Sequence, residues 1–220
     1  MMFSKICVSI AEPSVAACLA AIKDIEFAEI RLDAMRLSPE EVPVLFSGKR
    51  WVIATCRPGR CSDEARKRLL MAAITSGAAF VDVEIDSEAV YREEIIAAAR
   101  AHGCKVIVSH HDYDKTPERP VLEACVSACF EAGADAAKVA CEVRSDKDAA
   151  RLLALLDNDR EVVVVGMGER GRITRVVAPL LGSAFTYASV AVGKETADGQ
   201  IEADTLGELL KRIGEVVSEK

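Results

Sequence analysis

The sequence predicts an α/β chain that closes into a single compact (βα)8 TIM barrel over residues 1–220. Short runs rich in β-branched residues recur eight times, at 5–10, 27–33, 51–57, 80–86, 105–112, 136–143, 161–168 and 185–191. Their starts lie 22 to 31 residues apart, room for one helix and two short loops in each interval. Helix-start signals occupy those intervals.

Each interval supplies its own signal. Ser38-Pro39-Glu40-Glu41 reads as a capping box with Pro at the first helical position, Ser145 leads Asp148 at the same spacing, and Thr116-Pro117 opens the fifth helix. The last segment carries Leu206, Leu209, Leu210, Ile213, Val216 and Val217, the stripe of an amphipathic helix. Strand-then-helix units imply parallel strands with crossovers, as an open doubly wound sheet or a closed barrel. Eight units favour the barrel, and no Gly-x-Gly-x-x-Gly follows the first strand to favour a dinucleotide-binding sheet. No domain boundary is visible.

Composition narrows the class. Half of the 220 residues are apolar, Gly and Pro total only 20, and mean hydropathy is +0.16, so a large core is available and disorder is disfavoured. A net charge of −7 with a single Trp argues against nucleic acid and anionic membranes as partners. No apolar run reaches membrane-spanning length, and Glu12 and Pro13 interrupt the stretch that a signal peptide would need. Eight cysteines without any C-x-x-C fit a reduced cytoplasm and packing roles, including Cys125 and Cys129 on one helix face.

The polar residues inside the strands point to function. Alternation puts Glu29 and Arg31 on one face of the second strand, and Thr55 and Arg57 on one face of the third. It does the same for Asp82, Glu84 and Asp86 in the fourth, Ser109 and His111 in the fifth, and Lys138 and Glu142 in the sixth. In a barrel the apolar face packs on the helices, so these titratable groups converge in the lumen, towards the strand ends where barrel enzymes hold their sites. Pairing of strand-end charges as a mere plug is the alternative, at a cost of several kcal/mol for each buried charge left unpaired.

Lys138, flanked by Ala136, Ala137, Val139 and Ala140, has two readings: a salt bridge to a lumen carboxylate such as Glu84 or Glu142, or a Schiff-base nucleophile. Burial beside Arg31, Arg57 and Arg175 would favour its free amine. His111 shares the lumen face of the neighbouring strand and suits a proton shuttle, whereas His110 has the opposite parity and His102 precedes Gly103 as a helix cap. With one inward His and no second ligand at a familiar spacing, a metal site is disfavoured. Gly166–Gly171 is a weak phosphate-cradle signal, and Arg172, Arg175, Thr196 and Gln200 could bind a small anion.

Taken together, these residues resemble the type I 3-dehydroquinate dehydratases, Schiff-base lyases of the shikimate pathway, over essentially the whole chain. Glu29-Ile30-Arg31 is similar to the family's E-x-R, Arg57 to its third-strand arginine, and residues 109–117 to its H-D-F-x-x-T-P signature. Residues 134–140 look like its Schiff-base segment, 167–175 like M-G-x-x-G-x-x-S-R, and 196–200 like S-A-P-G-Q.

The resemblance implies Lys138 as nucleophile and His111 as general acid and base. It implies Ser9, Glu29, Arg31, Arg57, Arg175, Thr196 and Gln200 as substrate-binding residues, with no metal or organic cofactor and with a homodimer as the common assembly. Three departures stand out. Strand one starts by residue 5, so the hairpin that plugs the barrel floor in longer relatives is not expected. Residues 58–64 offer no match to the family's E-G-G, which leaves Asp82 or Glu84 to support His111. Thr replaces Ser at 174 and 196, keeping the hydroxyl. A class I aldolase on the same fold and a non-catalytic barrel are the competing readings.

Overall fold

A computed structural model describes residues 5–48 and 51–218. Strands β1 (Ile6–Ile10), β2 (Phe27–Arg31), β3 (Trp51–Thr55), β4 (Phe80–Glu84), β5 (Lys105–Asp112), β6 (Ala136–Glu142), β7 (Val162–Met167) and β8 (Thr186–Ser189) alternate with helices. The helices are α1 (Val15–Ala21), α2 (Pro43–Phe46), α3 (Asp63–Thr75), α4 (Ala89–Ala101), α5 (Arg119–Glu131), α6 (Asp146–Leu153), α7 (Arg172–Val177) and α8 (Ala203–Ser218). All ladders are parallel, in the order β7-β6-β5-β4-β3-β2-β1-β8, a nearly closed (βα)8 barrel. The seam between β7 and β8 is bridged at its base by the Ala184 N–H donating to the Val162 carbonyl at 3.1 Å.

The two strand faces sort as alternation requires. One set, including Val8, Ile30, Ala54, Val81, Val108, Val139 and Val164, packs beneath the helices. The other faces the lumen and fills its floor: Phe27 lies 6.0 Å from Phe80 and edge-on to Phe185 at 5.1 Å, with Ile53, Ile107 and Val163 between strands. Aromatic rings at these offsets bury large area in favourable geometry. Residues 1–4, where a floor hairpin would precede β1, lie outside the described residues.

Local signals hold where a single element decides them. Ser145 and Asp148 form a reciprocal capping box at α6, and His102 caps α4 with its ring on the Ala98 carbonyl at 2.9 Å. Two expected helix starts move downstream. Ser38 does bond to Glu41 through its N–H, yet the chain continues in turns and α2 begins only at Pro43. Similarly, α5 begins at Arg119, while the Thr116 hydroxyl donates to the Glu142 carbonyl at 2.7 Å and pins the loop to β6. Both shifts have one cause, a second proline. A helix begun at Pro39 or Pro117 would carry Pro43 or Pro120 where an intrahelical N–H is needed.

The α8 stripe is only partly used. Leu206 is fully buried and Leu210 and Ile213 half-buried, but Leu209, Val216 and Val217 are exposed. A 16-residue helix is about 24 Å long, and it packs on strands of five and four residues, so its last turns find no sheet beneath them. No helix among the described residues is long and apolar enough to cross a membrane.

Candidate active site

Above the aromatic floor the lumen turns polar. Glu29, Thr55, Asp82, Ser109 and Lys138 project inward from five successive strands and are all buried. The Lys138 ammonium donates to Asp82 Oδ2 at 3.0 Å and stands 3.9 Å from Glu29 Oε1, with its nitrogen 4.3 Å from the centre of the Tyr187 ring. Asp82 also takes a bidentate pair from Arg57, at 2.9 and 2.7 Å, and a hydrogen bond from Ser109 at 2.6 Å. Burial alone would push the Asp82 carboxyl up, but Arg57 and Lys138 beside it hold it well below the ordinary range. Glu29 is fixed through both oxygens by the Ser9 and Thr55 hydroxyls.

Lys138 therefore meets carboxylates rather than bare cations. Arg57 is neutralised by Asp82 and by Glu84 at 3.1 Å, and Arg31 makes a bidentate pair with Asp33 at 3.0 and 2.7 Å. The expected partners Glu84 and Glu142 give way to Asp82 and Glu29. Along the ladders Lys138 is level with Ser109 and Glu84, yet it reaches Asp82, one lumen step nearer the floor. Strand tilt of about 36° makes ladder neighbours differ in height along the barrel axis.

His111 lies on β5 one lumen step above Ser109, itself the ladder neighbour of Lys138. Burial, reinforced by the Arg57 and Lys138 charges, holds the imidazole well below its usual pKa, so it is neutral near pH 7. Tyr113 stacks on the ring at 5.9 Å. Of the two carboxylates expected to support it, Glu84 is the nearer, with Oε1 3.6 Å from Nδ1, beyond hydrogen-bond range; Asp82 is taken up by Arg57, Ser109 and Lys138. His110 points away and faces the exposed Asp86 at 3.3 Å, so Asp86 does not extend the lumen set of Asp82 and Glu84.

The opposite wall comes from the last two units. Arg175 is buried, and its guanidinium donates only to backbone carbonyls, of Asp198 at 3.1 Å and Tyr187 at 3.4 Å, leaving Nε without a partner. Burial, with Arg172 nearby, pushes its pKa down to about 10. Among the described residues no carboxylate pairs with it. Arg172 itself is exposed and outside the cavity wall.

The Gly166–Gly171 turn is a packing device, not a phosphate cradle. A Cβ on Gly171 would sit 2.4 Å from Gly166 backbone, and the Thr174 hydroxyl already accepts the Gly166 N–H at 2.8 Å. After β8 the chain folds over the cavity. Thr196 donates to Ser9 at 2.7 Å, Gln200 Oε1 accepts the Thr196 N–H at 2.7 Å, and Lys194 pairs with Glu12 at 3.0 Å. Gly199, with φ +77°, lets this loop touch Gly168, whose carbonyl would lie 2.2 Å from a Cβ.

These walls enclose a cavity of about 390 Å³ lined by Glu29, Arg31, Arg57, His111, Lys138 and Arg175 together with Thr196 and Gln200. Ser9 lies behind Glu29 rather than on the wall. Asp33, Tyr113 and Tyr187 are additions that the sequence reading did not single out. Tyr187 could have been found from its lumen parity in β8. Asp33, beyond the end of β2, carries no such signal, yet it clamps Arg31 and accepts the Arg57 N–H at 3.1 Å. Cys125 and Cys129 lie in α5 as free thiols, Cys129 fully buried.

Comparison with known proteins agrees with this arrangement. A family model described as type I 3-dehydroquinase matches residues 6–216. The chain is 33% identical over 220 residues to the 3-dehydroquinate dehydratase of Methanocaldococcus jannaschii, covering 93% of this chain and 96% of that one. It is 31% identical over 212 residues to the enzyme of the same name from Methanosarcina acetivorans, covering 88% of each. The crystal structure of 3-dehydroquinate dehydratase from Geobacillus kaustophilus superposes with a TM-score of 0.86 at 26% identity, over 97% of this chain and 92% of that one. The chain belongs to the type I 3-dehydroquinase family.

Proposed function

We infer that this chain dehydrates 3-dehydroquinate to 3-dehydroshikimate, a step of the shikimate pathway, through a Schiff base on Lys138, with residues 1–220 acting as one catalytic domain. The observation that carries this reading is the meeting, in one cavity, of a lumen lysine, a neutral imidazole and an arginine that has no carboxylate partner among the described residues. The substrate presents a ketone, an acidifiable C–H beside it and a ring carboxylate, one feature for each group.

Lys138 passes a proton to His111 and adds through Nζ to the C3 ketone; His111 returns that proton as the carbinolamine hydroxyl leaves as water, giving an iminium and a neutral imidazole. The iminium draws electron density from C2, and neutral His111 removes a C2 proton to give the enamine. The C1 hydroxyl then leaves as water, taking a proton from His111, and hydrolysis of the imine frees product and lysine. Acid–base help of this kind contributes about 10²- to 10⁴-fold in rate. Arg175 and Gln200 hold the carboxylate, while Glu29, Arg31 and Arg57 hold the C4 and C5 hydroxyls. Ser9 and Thr196 fix Glu29 and the closing loop. Because Asp33 and Asp82 pin the two arginines, their donors are oriented before substrate arrives.

Borohydride added with substrate should leave a stable mass adduct on the native chain and none on Lys138→Ala. His111→Ala should still form the adduct but lose turnover. Equal trapping by Lys138→Ala would remove that residue from the mechanism.

A further inference from the structure

We propose that Tyr187 is a positioning residue for the Lys138 nucleophile, its ring face holding the nitrogen's positive charge as ammonium becomes iminium. The proposal rests on the Schiff-base reading above and deepens it. Tyr187 is buried on β8, faces the lumen and lines the cavity. Its ring is held edge-on by Phe185 at 5.4 Å, and the Lys138 nitrogen stands 4.3 Å from the ring centre, well inside cation–π range. The hydroxyl is buried without a hydrogen-bond partner among the described residues, and burial, then the nearby Glu29 carboxylate, push its pKa well up, so the side chain stays neutral.

An ammonium has three N–H groups and can serve Asp82 and Glu29 together. A protonated imine keeps one, so at most one of those carboxylate contacts survives the chemistry. Asp82 tolerates the loss, because Arg57 and Ser109 still satisfy it. Attraction to a ring face depends on the charge and not on the number of N–H groups. Among the described contacts of Nζ, the Tyr187 ring is thus the one whose loss falls on the intermediate: without it an ammonium can still turn its three N–H groups to Asp82 and Glu29, whereas an iminium with one N–H cannot.

The hydroxyl has no part in this, which makes the conservative variant informative. Tyr187→Phe keeps the ring and removes an unpaired buried donor; Tyr187→Leu removes the ring. Pentafluorophenylalanine in place of Tyr187 keeps the shape but reverses the sign of the ring face. The Arg175 contact is to the Tyr187 backbone and persists in all three.

Single-turnover mixing with substrate, borohydride quench and mass measurement read the rate of adduct formation, and steady-state assays read kcat and KM. Tyr187→Phe should stay within about twofold of the native chain. The Leu and pentafluoro variants should form adduct about 5- to 30-fold more slowly, the range expected for a desolvated cation–π contact, with KM changing less than about threefold. If the Leu variant fails to fold, the pentafluoro variant decides. Native-like trapping by the pentafluoro variant overturns the proposal. A native chain that traps normally while every variant does the same refutes only the role of Tyr187; a native chain that traps nothing refutes the Schiff-base reading, and this proposal with it.

Discussion

Replacing Asp82 by Asn tests whether the lumen charges act as one buried network. The carboxylate is almost fully enclosed and accepts four hydrogen bonds, two from Arg57, one from Ser109 and one from Lys138. Three of these involve a cation, and charge-assisted bonds contribute about 1.5–3 kcal/mol each. Asn keeps one accepting oxygen and turns an NH2 towards the guanidinium, so two of the four bonds are lost: those from Arg57 and Lys138 at Oδ2, or those from Arg57 and Ser109 at Oδ1. That gives about 2–6 kcal/mol, bracketing the about 3–5 kcal/mol for removing one partner of a buried ion pair.

For a chain of this length about 2–4 °C of Tm accompanies each kcal/mol, so the melting point should fall by roughly 4–24 °C at pH 7. The pH dependence has a definite sign. Because Asp82 is held below its unfolded value, its contribution is complete above about pH 4 and is lost as pH falls towards the native pKa. By pH 3 the unfolded carboxyl has taken up its proton, and the native advantage over Asn should have shrunk by about 1 kcal/mol. Urea titrations at pH 7 and pH 3 measure both quantities. A loss below about 1 kcal/mol at pH 7, or a gap that does not narrow by pH 3, would refute the network.

Two further outcomes follow from the geometry. Since His111 is held neutral by burial and by the Arg57 and Lys138 charges, kcat/KM should stay level as pH falls from 8 to about 6.5 and drop only below that; an acid limb centred at or above the free-histidine value of about 6.5 contradicts the assignment of His111 as base. Gly199→Ala must place a Cβ 2.2 Å from the Gly168 carbonyl at a positive φ, so the closing loop should be destabilised by about 1–2 kcal/mol and KM should rise about 5- to 30-fold with Tm nearly unchanged, whereas an unaltered KM would show that the loop takes no part in binding.

How far the molecule was legible in its sequence depended on the reach of each signal. Strand period and parity are local, and they placed Glu29, Arg57, Asp82, His111 and Lys138 inside the lumen because every strand is covered by helices on its other face. Helix starts were legible only where no second proline competed: Ser145 opens α6 as its capping box requires, while Pro43 and Pro120 displaced α2 and α5. Partner choice across the lumen was not legible. Parity makes Glu84 as good a partner for Lys138 as Asp82, and the ladder makes it better, since Glu84, Ser109 and Lys138 are level along their hydrogen bonds.

Barrel tilt reverses that order. It carries successive strands along the axis, so a long side chain on β6 meets the carboxylate of β4 that lies one step lower, and leaves Glu84 free to approach Arg57 and His111. The same offset decides which carboxylate stands beside the imidazole. Strand stagger is a property of the closed ring as a whole, set by how eight strands meet, and no window of twenty-five residues contains it.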